Sequence, residues 1–423
     1  MRKLPEGQID VLFASYGGGH VTMLRPVAQA LARENISFAF LGLTTAQADL
    51  ESHGLDYFGF AELEGADSSD VQTWGRELAG PEVPGSTVSY HESVAYHGLN
   101  FRDQVALWGE TQARAFYAKH GRQGFLPVHT MEMLLTRLKP RLVVATNSPR
   151  AEKALFIAAR NLNIPALCLV DLFAIQEVKW ISQPSYASRI CVLNQQIADF
   201  FVANGCEPET VVITGNPAFD TLSAPHTQSA GRALRVERGF GDDDKVILWA
   251  SNVEPDRHPF THIVGDPTLP RRVEAELRDI VATEPGWHLV IRYHPSEKVE
   301  FVPQANVVQS TRAENLHALV NAVDAVVVIA STVGLEAHLA GKPVVSVDMS
   351  VFTHDAPYSR MGISAGVNAL DDLRGTLRAA LASSRNAISF GGGLACRAVA
   401  DQIKSLLSEV PYDGTRLHAR RTN

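Results

Sequence analysis

Residues 324–345 read DAVVVIASTVGLEAHLAGKPVV. The consecutive apolar residues after Asp324 suit a strand covered on both faces. Ser331 and Thr332 then open a helical stretch, Gly341 closes it, and a second apolar run begins after Pro343. A strand that reaches the next strand through a helix makes the two parallel neighbours. The stretch therefore predicts a βαβ unit.

The same rhythm extends outward in both directions. Before it lie a strand in GFGDDDKVILWASN (239–252), a helix in 270–285, strands in HLVIRYHP (288–295) and NVVQS (306–310), and a helix in 314–323; PVVSVD (343–348) follows. Asp242 to Asp244 fall in a turn before a strand and read as a solvated turn. The first half repeats the pattern. Strands are expected at 10–16, 37–43, 55–60, 141–147, 164–171, 187–194 and 210–217, and helices at 23–34, 44–54, 129–140, 149–163 and 195–205. The fold class is thus α/β, with two Rossmann-like doubly wound parallel-sheet domains. Domain bounds are placed at 1–215 and 216–394, with a helix at 395–410 packing back on the first domain and an unstructured basic tail carrying Arg416, Arg420 and Arg421. Residues 61–128 break the rhythm: Gly/Pro/Ser-rich segments flank a helical stretch from Arg102 to His120 and read as a long insertion, a loop or lid. His91, His97, His120 and Arg122 in it are expected at the surface.

Length and composition set bounds. At 423 residues the chain is long enough for two cores, and 45% hydrophobic residues fit a soluble globular protein. A net charge of −8 argues against a nucleic-acid partner. No apolar run approaches the length of a membrane span, and MRKLPEGQID lacks a signal-peptide core. Cys168, Cys191, Cys206 and Cys396 have no CxxC spacing, so neither disulfides nor a zinc site is expected, and a reducing cytoplasm fits.

Three segments carry chemistry. In VLFASYGGGHVTM (11–23) a buried strand turns through Gly17, Gly18 and Gly19 into a helix, with His20 on the carboxyl-end rim of the sheet, where open α/β folds bind ligands. The turn is not GxGxxG, which disfavours a dinucleotide site. An imidazole there either removes a proton from a hydroxyl or caps the helix. VIRYHP (290–295) sets Arg292 and His294 on one strand face, suited to a phosphate or to an ordinary polar strand end. In the opening stretch, Ser331 and Thr332 at a helix start suit a diphosphate, and Glu336 one turn on suits ribose hydroxyls; position by position they also read as ordinary caps.

Taken together, these segments resemble the GT-B superfamily of nucleotide-sugar glycosyltransferases. GGGH is similar to the turn in N-acetylglucosaminyltransferases of cell-wall lipid synthesis. VVITGNPAFDTL (211–222) resembles the segment entering the second domain of UDP-N-acetylglucosamine 2-epimerases and lipid-A-disaccharide synthases. RYHP and STVGLEAHLAGKPVV are similar to motifs of bacterial sialyltransferases, Kdo transferases and CDP-glycerol polymerases. The resemblance implies two domains facing a cleft, and a donor held by Arg292, His294, Ser331, Thr332 and Glu336, with Ser251 and Asn252 alongside. It also implies an acceptor on the side of Gly18, Gly19 and His20, and no metal or other cofactor. The expected catalytic base is His20 or Asp171. His354, Asp355 and Tyr358 are candidate sugar contacts, as are Glu254, Asp256 and His258.

The reading is a glycosyltransferase that moves a sugar from a UDP or CMP/CDP-type donor to a saccharide, lipid-linked or other hydroxyl acceptor in bacterial surface glycan synthesis. Two alternatives stand beside it, a non-hydrolysing 2-epimerase and a non-catalytic nucleotide-sugar-binding protein. The expected location is cytoplasmic, with peripheral contact at the inner membrane face if the acceptor is lipid-linked.

Overall fold

The computed structural model describes residues 4, 5, 7–259, 261–383 and 394–409; Arg416, Arg420 and Arg421 lie outside them. The chain divides into two compact units. The first runs up to Ala218 and includes the helix that begins at Leu394, and the second begins at Phe219.

The first unit holds strands β1 (Val11–Ser15), β2 (Phe38–Gly42), β3 (Leu142–Thr146), β4 (Ala166–Leu169), β5 (Arg189–Val192) and β6 (Val211–Ile213). They form one sheet in the order β2-β1-β3-β4-β5-β6, and every neighbouring pair is parallel. Its helices are α1 (Gly19–Arg33), α2 (Ala46–Ser52), α3 (Ser69–Ala79), α4 (Tyr90–Trp108), α5 (Glu110–His120), α6 (Val128–Leu138), α7 (Ala151–Asn161), α8 (Val178–Ile181) and α9 (Gln195–Ala203). All five residues of β1 are buried, as a strand covered on both faces requires. α1 buries Met23, Leu24, Val27, Ala28 and Leu31 at helical spacing against β1 and β3.

In the second unit, strands β7 (Lys245–Ala250), β8 (Trp287–Arg292), β9 (Val307–Gln309), β10 (Ala325–Val328), β11 (Val344–Val347) and β12 (Ala365–Val367) alternate with α10 (Pro225–Glu237), α11 (Leu269–Thr283), α12 (Leu316–Ala322), α13 (Val333–Leu339) and α14 (Leu373–Ala382). The sheet order is β12-β11-β10-β7-β8-β9, again parallel throughout. The final helix, α15 (Leu394–Glu409), places Val399, Ile403, Leu406 and Leu407 in the core beneath α1.

Three local expectations are corrected. LDYFGF forms no strand; Phe58 makes a single bridge to Leu41, and a short 3-10 turn starts at Phe60. Within residues 61–128 the helical stretch expected from Arg102 to His120 is present but begins earlier, at Tyr90, and α3 precedes it. α3 and α4 cross backbone to backbone at two glycines: a Cβ on Gly75 would stand 2.2 Å from the Val94 carbonyl oxygen, and one on Gly98 would stand 2.1 Å from that of Val71. His97 is buried rather than exposed. Its Nδ1 meets the Ser93 carbonyl at 2.7 Å, and its ring lies edge-on to Tyr96 and Phe125.

In each sheet the order reverses once, between β1 and β3 and between β7 and β10. At such a point the loops leaving the carboxyl ends of adjacent strands part to opposite faces and leave room for a ligand.

Because Ile403 is fully buried beneath α1, Ile403→Ala is expected to cost about 2–5 kcal/mol in the first unit. Differential scanning calorimetry should show a lowered transition; an unchanged melting profile would contradict the packing of α15.

Candidate functional site

At the reversal in the first unit, β1 ends at Ser15, and the chain passes through Tyr16 and three glycines into α1. A Cβ on Gly17 would fall 1.9 Å from Thr45 Oγ1, so this position is closed to any other residue without movement. Gly18, with φ 69° and ψ −136°, caps α1 in a conformation that L side chains avoid. The turn brings His20 across to β3, where Thr146 Oγ1 lies 2.8 Å from its Nδ1. The same Thr146 hydroxyl donates to Glu152 Oε2 through a short hydrogen bond. Glu152, in the first turn of α7, is fully buried and also accepts the backbone N–H of Tyr16 at 2.9 Å and of Ser148 at 3.4 Å.

This chain fixes a tautomer. Thr146 has one hydroxyl proton, and with Glu152 ionised that proton points at the carboxylate. Nδ1 of a neutral His20 must then be the donor to Thr146, which leaves the Nε2 lone pair as the basic position. Asp171 completes the group. Its Oδ2 would lie 3.5 Å from a Cβ on Gly19, and Asn147 Oδ1 accepts the Asp171 backbone N–H at 2.6 Å. Burial raises the carboxyl pKa of both Glu152 and Asp171 above the ordinary range, and a charge on His20 pulls each back. A role for Glu152 and Thr146 does not emerge from the motif alone. Glu152 sits in PRAEKALFIAAR as one helical glutamate among ordinary helix formers. Some non-glycine residues with positive φ follow the carboxyl ends of strands, Thr44 (φ 53°), Arg150 (φ 70°), Leu172 (φ 49°) and Ala174 (φ 46°), while Asn35, Lys139 and Asn163 precede strands at the opposite edge.

The second unit also has a polar contact across its reversal, where Ala330 N after β10 donates to Asn252 Oδ1 after β7 at 3.4 Å. Beside it, Ser251 Oγ donates to Glu297 Oε1 at 2.9 Å, and Arg271 donates to both Ser251 Oγ and Glu297. Glu297 Oε2 takes the His294 backbone N–H at 2.7 Å, and the Ser296 N–H donates to His294 Nδ1 at 3.1 Å. An imidazole that accepts at Nδ1 carries its proton at Nε2 when neutral, so exposed His294 presents a donor. The two histidines are thus held in opposite tautomers. β8 stops at Arg292, so His294 stands in the following loop and shares no strand face with Arg292, contrary to expectation.

Arg292 is partly committed. Its Nη1 donates to Ser310 Oγ and to the carbonyls of Thr311 and Glu314 at 2.9–3.1 Å, while its charge faces Glu314 and Glu336. Burial lowers its pKa, with those two carboxylates opposing. Buried Glu336 pairs at 3.3 Å with His317, whose Nδ1 meets Thr221 Oγ1 at 2.8 Å; the sequence reading missed His317. Ser331 is partly buried, its Oγ accepting the Val333 N–H at 3.4 Å, and Thr332 is exposed.

The expected sugar contacts are corrected where the structure commits them elsewhere. Tyr358 is fully buried, and its hydroxyl donates to the Ser331 carbonyl at 2.9 Å, so it braces the Ser331 turn from below. Asp355 meets buried His258 at 2.7 Å. Glu254 accepts from Ser350 Oγ at 2.6 Å and Val351 N at 2.8 Å. The Asp355–His258 and Glu254 contacts hold the loop after β11 to the loop after β7, and of His354, Asp355 and Tyr358 only His354 is exposed.

Residues 268–365 match the family of capsule polysaccharide biosynthesis proteins, a span that contains His294, Ser331 and Glu336. No curated protein matches the chain. Among solved structures, the UDP-GlcNAc 2-epimerase of Methanocaldococcus jannaschii is similar over 94% of this chain and 100% of its own, at 13% identity and a TM-score of 0.58. The UDP-GlcNAc 2-epimerase of Neisseria meningitidis bound to UDP-GlcNAc gives the same values. The calicheamicin glycosyltransferase CalG4 is similar over 95% of this chain and 99% of its own, at 16% identity and a TM-score of 0.53. The fold is GT-B, two Rossmann-like units in one chain.

The His20 chain makes a spectroscopic prediction. Nitrogen-15 NMR of labelled protein at alkaline pH should show neutral His20 protonated at Nδ1, and Thr146→Val should shift it toward the Nε2-protonated form that free histidine favours. An Nε2-protonated ring in the unaltered protein would contradict the assignment.

Proposed function

We propose that the protein is a glycosyltransferase that uses a nucleotide-sugar donor and a hydroxyl acceptor in the synthesis of a surface polysaccharide or related glycan. The observation that carries this reading is the His20–Thr146–Glu152 chain, which leaves His20 Nε2 as a base at the sheet reversal of the first unit. In this scheme His20 Nε2 takes the acceptor hydroxyl proton as the acceptor oxygen bonds to the anomeric carbon. The bond from that carbon to the nucleotide phosphate breaks, and its electrons leave with the phosphate oxygen. The second unit meets that charge with the Nε2–H of His294 and the uncommitted nitrogens of Arg292, with Ser331 and Thr332 beside them. Glu336 is assigned to the ribose and His317 to holding it. No resident metal or cofactor takes part. Both the family matched by residues 268–365 and the GT-B likeness support this reading.

A second reading is a non-hydrolysing epimerase, favoured by the two raised carboxyls, Asp171 and Glu152, beside His20. Such an enzyme interconverts the donor without an acceptor, so donor turnover in the absence of any acceptor separates the two.

His20→Gln is expected to lower transfer about 10²–10⁴-fold with little change in nucleotide affinity. Full activity in this variant would remove His20 as the base. Glu336→Ala should instead weaken nucleotide binding, read by calorimetry with whichever of UDP, CMP, CDP or GDP most raises the melting temperature. Unchanged affinity would take Glu336 out of the nucleotide site.

A further inference from the structure

We propose that Asn147 and Asp171 hold the acceptor by a hydroxyl beside the reacting one, so that the acceptor is a saccharide with neighbouring hydroxyls rather than a lone alcohol. The word acceptor rests on the glycosyl-transfer reading; the hydroxyl site itself stands on the geometry below.

Asn147 follows β3 and Asp171 follows β4, and the two strands are neighbours. Asn147 is buried, with 4% of its surface exposed. Its Oδ1 accepts the Asp171 backbone N–H at 2.6 Å, a bond that only the oxygen end of the amide can accept. That bond orients the side chain and leaves Nδ2 with two donor hydrogens. Among the described residues nothing accepts from them, yet Nδ2 is not sealed in the interior. An amide so buried rarely leaves its donor unused unless a ligand or water takes it.

The Asp171 carboxylate is unused as well: among the described residues it accepts no hydrogen bond. It faces the turn that carries His20. Its Oδ2 would lie 3.5 Å from a Cβ on Gly19, and a charge on His20 acts on it. Burial raises its pKa, and a hydroxyl hydrogen-bonded to it would offset the desolvation behind that shift. Thr146 and Asn147 are consecutive: the first reaches His20 on the β1 side, the second reaches Asp171 on the β4 side. The end of β3 therefore ties all three groups to one place. An amide donor beside a carboxylate acceptor matches a group that both accepts and donates, which is a hydroxyl. A phosphate or carboxylate ligand would meet ionised Asp171 as a like charge. His20 Nε2 addresses the hydroxyl that reacts, so the one held by Asn147 and Asp171 is a second hydroxyl of the same molecule.

The test is a titration of the full chain, followed by saturation-transfer NMR, with the methyl pyranosides of glucose, galactose, mannose and N-acetylglucosamine. The tightest binder is then compared across the unaltered protein, Asn147→Asp, Asp171→Asn and the exchange variant Asn147→Asp/Asp171→Asn. Each single change removes one half of the pair and should weaken binding about tenfold or more. The exchange restores one donor and one acceptor and should recover most of the loss, which a merely structural role would not give. Asp171→Asn should melt no lower than the unaltered protein, because the carboxylate has no hydrogen bond to a described residue to lose, so its weaker binding is not a loss of fold. No binding by any pyranoside, equal affinity in the single variants, or no recovery in the exchange would overturn the pair. If the pattern holds while the donor turns over without any acceptor, the hydroxyl site stands and the glycosyl-transfer reading falls.

Discussion

The site in the first unit depends on one hydroxyl proton. Thr146 stands between an imidazole and a buried carboxylate and can donate to only one of them. An ionised Glu152, held by two backbone N–H groups as well, fixes the direction of the whole chain and leaves His20 basic at the nitrogen away from Thr146. The arrangement needs the tight turn at Gly17 and Gly18 to bring α1 across the sheet reversal, and it needs β1 and β3 to be neighbours. In the second unit the backbone N–H of Ser296 has the opposite effect on His294, whose free nitrogen is a donor. Under the proposed glycosyl transfer, a base would serve a hydroxyl nucleophile and a donor would serve a departing phosphate.

Both units solve the same packing problem in the same way. Parallel strands buried on two faces must be joined by helices, and the single reversal of order opens one place per sheet for polar groups. The residues found there divide into those that hold the rim and those left available. In the second unit Glu254, His258, Asp355 and Tyr358 tie loops together, and Ser251 and Glu297 orient His294. In the first unit the strained backbone at Thr44, Arg150, Leu172 and Ala174 lies along the rim rather than in the core.

Most of the strands and the helices between them were legible because consecutive apolar residues and helical spacing are strong local signals. Within the insertion only the stretch from Arg102 to His120 was legible as helix, because Gly/Pro/Ser-rich segments mask α3 and the start of α4, whose close crossing at Gly75 and Gly98 is a tertiary feature. The turn singled out His20 as a candidate, but its orientation was not legible, since Thr146 and Glu152 lie more than a hundred residues away in sequence. Tyr358 shows the reverse error. A tyrosine in a polar loop reads as a ligand contact, and only its burial shows that the hydroxyl braces the backbone at Ser331. Nor could His317 be assigned from its helix, because its partners Thr221 and Glu336 come from distant segments.

The division of labour between the two units is the central claim, and hydrogen–deuterium exchange on the full chain with a bound nucleoside diphosphate tests it most directly. Protection of the segments after β7, β8 and β10, around Asn252, His294 and Ser331, with 15–20 and 146–152 unchanged, is the predicted result. Protection confined to 15–20 and 146–152 would contradict it.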